Sequence, residues 1–213
     1  MSQGDLRKRN IELVVRKALG CFIEQGLEKT KVSQIAEKAG LTERSVFRYF
    51  DTKADLVLAA SYLYWNLVLE YIDQQLPAEQ REKMTGLEEI SHLLICYSNL
   101  YFDDPKGLRF TLDAELMLDS AGKKVEHRNQ PPEPYETSNG QVAKAIRKGL
   151  ADGSVSPEVD VKELYYNSYD TILGLMQRLS IGATPSSSEL DYKKRMKSIA
   201  EMFVRAFSGY GHN

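Results

Sequence analysis

Thr30-Lys-Val-Ser-Gln-Ile-Ala-Glu-Lys-Ala-Gly40-Leu-Thr-Glu-Arg-Ser-Val-Phe-Arg-Tyr-Phe50-Asp-Thr-Lys53 decides the reading of this 213-residue chain. It holds two short helical segments around a glycine. Val32, Ile35, Ala36 and Ala39 recur at helical spacing behind Thr30, a side chain able to cap a helix start. Gly40 ends that segment, and Thr42 can cap the next, expected to run through Phe50. Short helix, tight turn and short helix form the layout of a helix-turn-helix. At about 100° per residue, Arg44, Arg48, Ser45 and Tyr49 fall on one arc of the second helix, while Val46, Phe50 and Phe47 fall on the remainder. The apolar side is expected to dock on Ile35 and Ala36. The other side offers only hydrogen-bonding groups. Arginine pairs with guanine O6 and N7 in the major groove, and Ser and Tyr can bond base edges or phosphates.

The flanks agree with a nucleic-acid partner. Thr30, Lys31 and Ser33 open the first of these helices, where free N–H groups attract phosphate. Lys53 opens the next helix, and Arg7, Lys8 and Arg9 stand near the N-terminus. Residues 1–56 hold 11 Lys and Arg against 8 Asp and Glu, whereas the rest of the chain is acidic, so the overall net charge of −2 hides a basic head.

Outward from this stretch, helical spacing dominates. Ile11, Val14, Val15, Ala18, Leu19, Phe22 and Ile23 stripe a first helix ended by Gly26. Thr52 and Asp55 resemble a capping box for a fourth helix reaching about Leu76, and Pro77 breaks it. Thr85 and Glu88 make a second box, before a helix to about Phe102. Asp104-Pro105 opens one to about Leu118. Residues 120–135, with Gly122 and three prolines, read as a loop; Glu126, His127 and Arg128 within it are candidate gate residues. A helix is expected over about Tyr135–Ala151, another from Ser156-Pro157 to about Ile181, and a last one from a cap at Ser186–Glu189 to about Phe207. The expectation is an all-α fold of about nine helices. An N-terminal three-helix domain, residues 1–55, is joined by a long helix to a helical domain, residues 56–213.

With 42% hydrophobic and 27% charged residues, a buried core is expected and wholesale disorder is not. Cys21 and Cys96 are distant and unpaired in pattern, which suits a reducing cytosol and excludes a cysteine zinc site. The most apolar run, Leu56 to Leu69, is shorter than the roughly 20 residues of a membrane span, so a cytoplasmic protein without a membrane partner is expected. No GxSxG, HExxH or Gly-rich phosphate loop occurs, so no catalytic residue and no cofactor are expected. His92 and Cys96 stand four apart on one helix, but no second pair joins them, and no metal site is expected.

The run Ile35-Ala-Glu-Lys-Ala-Gly40-Leu-Thr42, then Val46-Phe-Arg-Tyr-Phe50-Asp-Thr-Lys-Ala-Asp-Leu56, resembles the DNA-binding domain of the TetR family of bacterial transcriptional regulators. The resemblance covers about residues 8–57. It implies phosphate contacts at Tyr49 and Lys53, and packing of the small domain by Phe47 and Phe50. Lys31 departs from the Ser or Thr more usual there. It further implies a repressor that binds a palindromic operator as a homodimer and is released by a small-molecule effector.

The dimer of this family usually pairs the last two long helices of each subunit. Here those helices carry two stripes: Leu164, Tyr165, Ser168, Ile172, Leu175 and Leu179, then Met196, Ile199, Phe203, Ala206 and Phe207. For an effector wall the candidates are Tyr62, Trp65, Leu69, Tyr97, Tyr101, Phe110, Met117, Tyr166, Tyr169 and Met176, since tyrosine offers an apolar wall with a hydroxyl handle. The same spacing also describes ordinary core. A regulator without an effector, an activator, and, from another class, a helical protein-interaction module remain alternatives; the last would show no salt-sensitive DNA binding.

Overall fold

A computed structural model describes residues 3–123, 132–182 and 191–209. Their ten helices are α1 (Gln3–Gln25), α2 (Val32–Lys38), α3 (Glu43–Phe47), α4 (Lys53–Gln75), α5 (Ala78–Arg81), α6 (Gly86–Asp103), α7 (Pro105–Ser120), α8 (Gln141–Asp152), α9 (Val161–Ser180) and α10 (Tyr192–Phe207). Among the described residues there is no strand. The chain divides into two compact units, Met1–Leu67 with Lys106–Gln130, and Val68–Pro105 with Pro131–Asn213. Helix α4 contributes to both.

Local chemistry explains where these helices begin and end. Both expected boxes form: Asp55 Oδ2 accepts from Thr52 N–H at 3.0 Å, and Glu88 Oε2 accepts from Thr85 N–H at 2.7 Å. Three starts differ from the sequence expectation. Helix α8 begins at Gln141 because the preceding segment is tied up by side chains: Ser138 Oγ donates to Glu133, and Arg147 donates to the Ser138 carbonyl. Helix α9 begins at Val161 because Asp160 caps it, accepting from Glu163 N–H, while Ser156 closes a local turn on Glu158 N–H. Helix α10 is capped by Asp191, which accepts from Lys194 N–H. The cap expected at Ser186–Glu189 lies outside the described residues, as do Glu126, His127 and Arg128. The four-residue α5 behind Pro77 carries no apolar stripe that would announce it.

The first unit holds more than a three-helix head. Val14, Ala18 and Phe22 of α1, Ile35 and Ala36 of α2, Val46 of α3, Leu56, Val57 and Ala60 of α4, and Leu108, Phe110 and Ala114 of α7 are all buried. Phe110 stacks on Phe22 with centroids 6.0 Å apart, and Tyr64 meets Phe110 edge-on at 6.0 Å. Lys123, just after α7, pairs with Asp55 at the start of α4 at 2.6 Å. Helix α7 thus packs into the unit that carries the helix-turn-helix.

In the second unit α6 is the shared neighbour of α8, α9 and α10. Its N-terminus meets the end of α8 backbone to backbone: a Cβ at Gly86 would collide with the main chain of Gly149. Asp152 and Ser154 accept from Gly86 and Leu87 N–H at 2.8 and 3.0 Å, satisfying donors that a helix start leaves open. Buried Glu89 pairs with Lys148 at 3.2 Å. Gly86→Ala is therefore expected to destabilise the protein by about 1–3 kcal/mol or more, because backbone cannot rotate away as a side chain can. Urea unfolding monitored by circular dichroism measures this.

Candidate nucleic-acid interface

Helix α3 is held by one buried side chain and a tight entry. Val46 is buried where α3 packs on α2, whose Ile35 and Ala36 are also buried. Gly40 takes φ +66°, a conformation that side chains resist, and Leu41 N–H bonds back to the Ala36 carbonyl at 2.9 Å. Thr42 caps α3, accepting from Ser45 N–H at 3.2 Å, and the two hydroxyls lie 2.9 Å apart. The helix stops at Phe47, earlier than the expected Phe50, and Tyr49 and Phe50 continue it only as single-turn bonds to the Val46 carbonyl. Thr42, Arg44 and Arg48 are exposed, and Ser45 is half-buried beside them.

Tyr49 sits in a knot of donors. Its hydroxyl accepts from Asn10 Nδ2 at 3.3 Å and from Arg48 Nη2 at 3.2 Å. The guanidinium groups of Arg48 and Arg7 lie 5.3 and 5.7 Å from its ring centroid. The bonds from Asn10 and Arg48, then the nearby Arg48 and Arg7 charges, hold the phenol below its ordinary pKa. Two exposed arginines and the half-buried Asn10 amide thus gather around one half-buried phenol. Sequence reading missed Asn10, which sits on α1, 39 residues from its partner.

Other expected contacts divide. Lys31 and Ser33 are exposed at the start of α2. Lys53 Nζ is bonded to the Leu27 carbonyl, and burial lowers its pKa. Thr30 requires a correction: it is 1% exposed, and its hydroxyl donates to the Gly26 carbonyl at 2.7 Å, with the Cys21 carbonyl at 3.2 Å. Its side chain closes the α1–α2 corner and is not presented to a phosphate. Phe47 also departs from the packing role implied for it, being 42% exposed, whereas Phe50 is half-buried.

The effector candidates fall into two groups. In the first unit, Trp65 and Phe110 are buried core residues and Tyr62 is half-buried, while Met117 lines a shallow groove of about 540 Å³ with Arg109, Asp113 and Leu116. In the second, Leu69, Tyr97 and Tyr169 line a small apolar cavity of about 20 Å³ with Ile72, Leu94 and Gln141. That is room for a single water. Tyr97 and Tyr169 meet edge-on at 5.3 Å, and burial drives the Tyr169 phenol well above its ordinary pKa. Gln141 also went unnoticed in the sequence; its amide oxygen is buried with no hydrogen-bond partner among the described residues. Tyr166 instead accepts the Tyr135 N–H at 3.0 Å, Tyr101 packs edge-on to Phe102, and Met176 is fully buried.

The dimer candidates need the same sorting. Ser168, Ile172, Leu179, Met196 and Phe207 are buried within the single chain, as are Tyr165 and Ala206, and so do not offer a face to a second copy. Their stripe is the side of α9 and α10 turned to this unit's own core. Leu164, Leu175, Ile199 and Phe203 are half-buried. Among the described residues no cluster of His, Cys, Asp and Glu could hold a metal, and no helix is long and apolar enough to cross a membrane. Cys21 is buried, and burial pushes the Cys96 thiol up in pKa.

The fold and this face define a helix-turn-helix DNA-binding protein. The family model for bacterial regulatory proteins of the tetR family matches residues 14–60. The chain is 23% identical over 188 residues to the HTH-type transcriptional regulator YvdT of Bacillus subtilis, covering 87% of this chain and 90% of that protein. It is 26% identical over 164 residues to the HTH-type transcriptional repressor KstR2 of Mycolicibacterium smegmatis, covering 74% and 73%. Among solved structures, RolR in complex with resorcinol has a TM-score of 0.65 at 14% identity, over 98% of this chain and 93% of that one. SmeT, the repressor of the Stenotrophomonas maltophilia multidrug efflux pump SmeDEF, has a TM-score of 0.60 at 19% identity, over 92% and 89%. Residues 14–60 thus match a tetR-type DNA-binding domain, and the two relatives matched along most of the chain are HTH-type transcriptional regulators.

The correction at Thr30 is open to test. Thr30→Val keeps the shape and removes the hydroxyl, leaving buried carbonyls short of a donor. A loss of about 1–3 kcal/mol in stability is expected, with unchanged DNA affinity of the folded protein. Thermal unfolding and fluorescence anisotropy on one preparation read both.

Proposed function

We propose that the protein is a repressor that binds a palindromic operator as a homodimer and leaves it when a small molecule occupies the second unit. The observation that carries the DNA half is the joint exposure of Arg44 and Arg48 beside the Tyr49 knot. In this reading Arg44, Ser45 and Arg48 face bases. Tyr49, with Arg7 and Asn10, grips a phosphate, and Lys31, Ser33 and Thr42 contribute backbone contacts. Two such faces about 34–36 Å apart enter successive major grooves, which requires a two-fold dimer.

The dimer reading rests on what the single chain leaves uncovered on α9 and α10. Leu164, Leu175, Ile199 and Phe203 are half-buried, and Met202 is 61% exposed. Gly174 has open space where its Cβ would stand, so a second helix can approach α9 closely there. The effector reading rests on the uncharged walls at Leu69, Tyr97, Tyr169 and Gln141, whose cavity has room for a single water and has to widen to admit an effector. Such walls suit an uncharged, largely apolar molecule. RolR, which shares the fold, was solved with resorcinol bound, and KstR2 and SmeT are named repressors.

Helix α4 begins in the helix-turn-helix unit and ends at Gln75, and its residues Leu69 and Ile72 line that cavity. A ligand that binds one position of α4 better than another shifts the recognition helices with it.

Selection of bound DNA from a random pool tests the proposal: a palindrome is expected, and unselective binding would refute it. Arg44→Ala is expected to cost about 1–3 kcal/mol on the selected operator and far less on random DNA. In sedimentation, Phe203→Glu is expected to convert the dimer to monomer and to abolish cooperative operator binding while thermal stability persists.

A further inference from the structure

Helix α3 exposes one large apolar side chain among its polar ones. Phe47 ends the helix with 42% of its surface open, and Glu43, Arg44 and Arg48 around it are exposed as well. Arg44 lies three positions before it and Glu43 four, so the ring stands next to both on the helix surface. The core does not need it: Val46 already fills the contact with α2, and Phe50 is the half-buried aromatic.

Something must cover this ring in the DNA complex, since it borders the face that carries Arg44. A phenyl ring has no atom to bond a phosphate or a polar base edge. The floor of the major groove offers one apolar group, the 5-methyl of thymine, and Phe is a side chain that suits it. We infer that Phe47 is a specificity-determining residue that selects thymine by packing on its 5-methyl group, next to the guanine that Arg44 pairs with. This rests on the DNA-binding reading of α3 and adds a base to it. Arg44 supplies the directional bonds, and Phe47 supplies a contact that only one base can return. Each half-site then carries thymine beside guanine.

The test uses the full chain on its selected operator, with thymines replaced by deoxyuridine singly and in symmetric pairs. This removes only the methyl group. The unmodified protein is expected to lose about fourfold in affinity for one critical methyl and about fifteenfold for the symmetric pair, the scale of a buried methyl-sized group. Phe47→Ala is expected to be weakened by a similar factor on thymine operators and to be indifferent to uracil. Its melting temperature, unchanged for an exposed position, shows that folding is intact. Indifference of the unmodified protein to uracil at every position would overturn the assignment. So would equal weakening of Phe47→Ala on thymine, uracil and random DNA, which would place the ring against the sugar-phosphate backbone. A pool yielding no enriched half-site would instead overturn the DNA-binding reading on which the inference stands.

Discussion

The burial of Val46 where α3 packs on α2 sets the direction of everything the DNA-binding face presents. A five-residue helix has too few internal hydrogen bonds to hold itself. Its orientation comes from that single apolar contact, from the left-handed Gly40 before it, and from the Thr42 cap. With Val46 inward, Arg44 and Arg48 have only the outside. Rotating the helix to bury either arginine would place an unpaired guanidinium in the core, at a cost far beyond any gain from covering Phe47.

Charge is then concentrated by tertiary structure. Arg7 and Asn10 come from α1 and Arg48 from the end of α3, and they converge on one phenol. Exposed single cations contribute little on their own, because water and salt screen them. Several donors held around one point are preorganised for an anion, so less ordering entropy is lost on binding. Lys53 shows the contrary use of a cation. Its ammonium is held on the Leu27 carbonyl, tying the start of α4 to the loop after α1.

The second unit is arranged around α6, whose start touches α8 at the Gly86–Gly149 approach. That approach fixes the backbones of two helices with almost no side-chain slack. Farther along the same helix, Leu94 and Tyr97 meet Tyr169 of α9 and Gln141 of α8 around a cavity no larger than a water. An amide oxygen left unpaired against apolar walls is costly in a native structure.

By itself the sequence determined the helical class, the helix-turn-helix, the capping boxes at Thr52–Asp55 and Thr85–Glu88, and the polar arc of Arg44, Ser45, Arg48 and Tyr49. These are local facts, set by spacing along a helix and by side chains bonding their own backbone three residues away. Position on a helical wheel could not tell which of two apolar sides is inward. Phe47 therefore read as core and proved exposed, while Ser168, Ile172, Met196 and Phe207 read as a surface for a second copy and proved internal. Thr30 read as a phosphate ligand because it opens a helix, but the carbonyls at the end of α1 claim its hydroxyl. Asn10 beside Tyr49, Lys123 beside Asp55 and Gln141 beside Tyr169 were decided only by the tertiary structure. Their partners lie tens of residues away, and no periodicity in a sequence encodes which distant helix arrives at a given face.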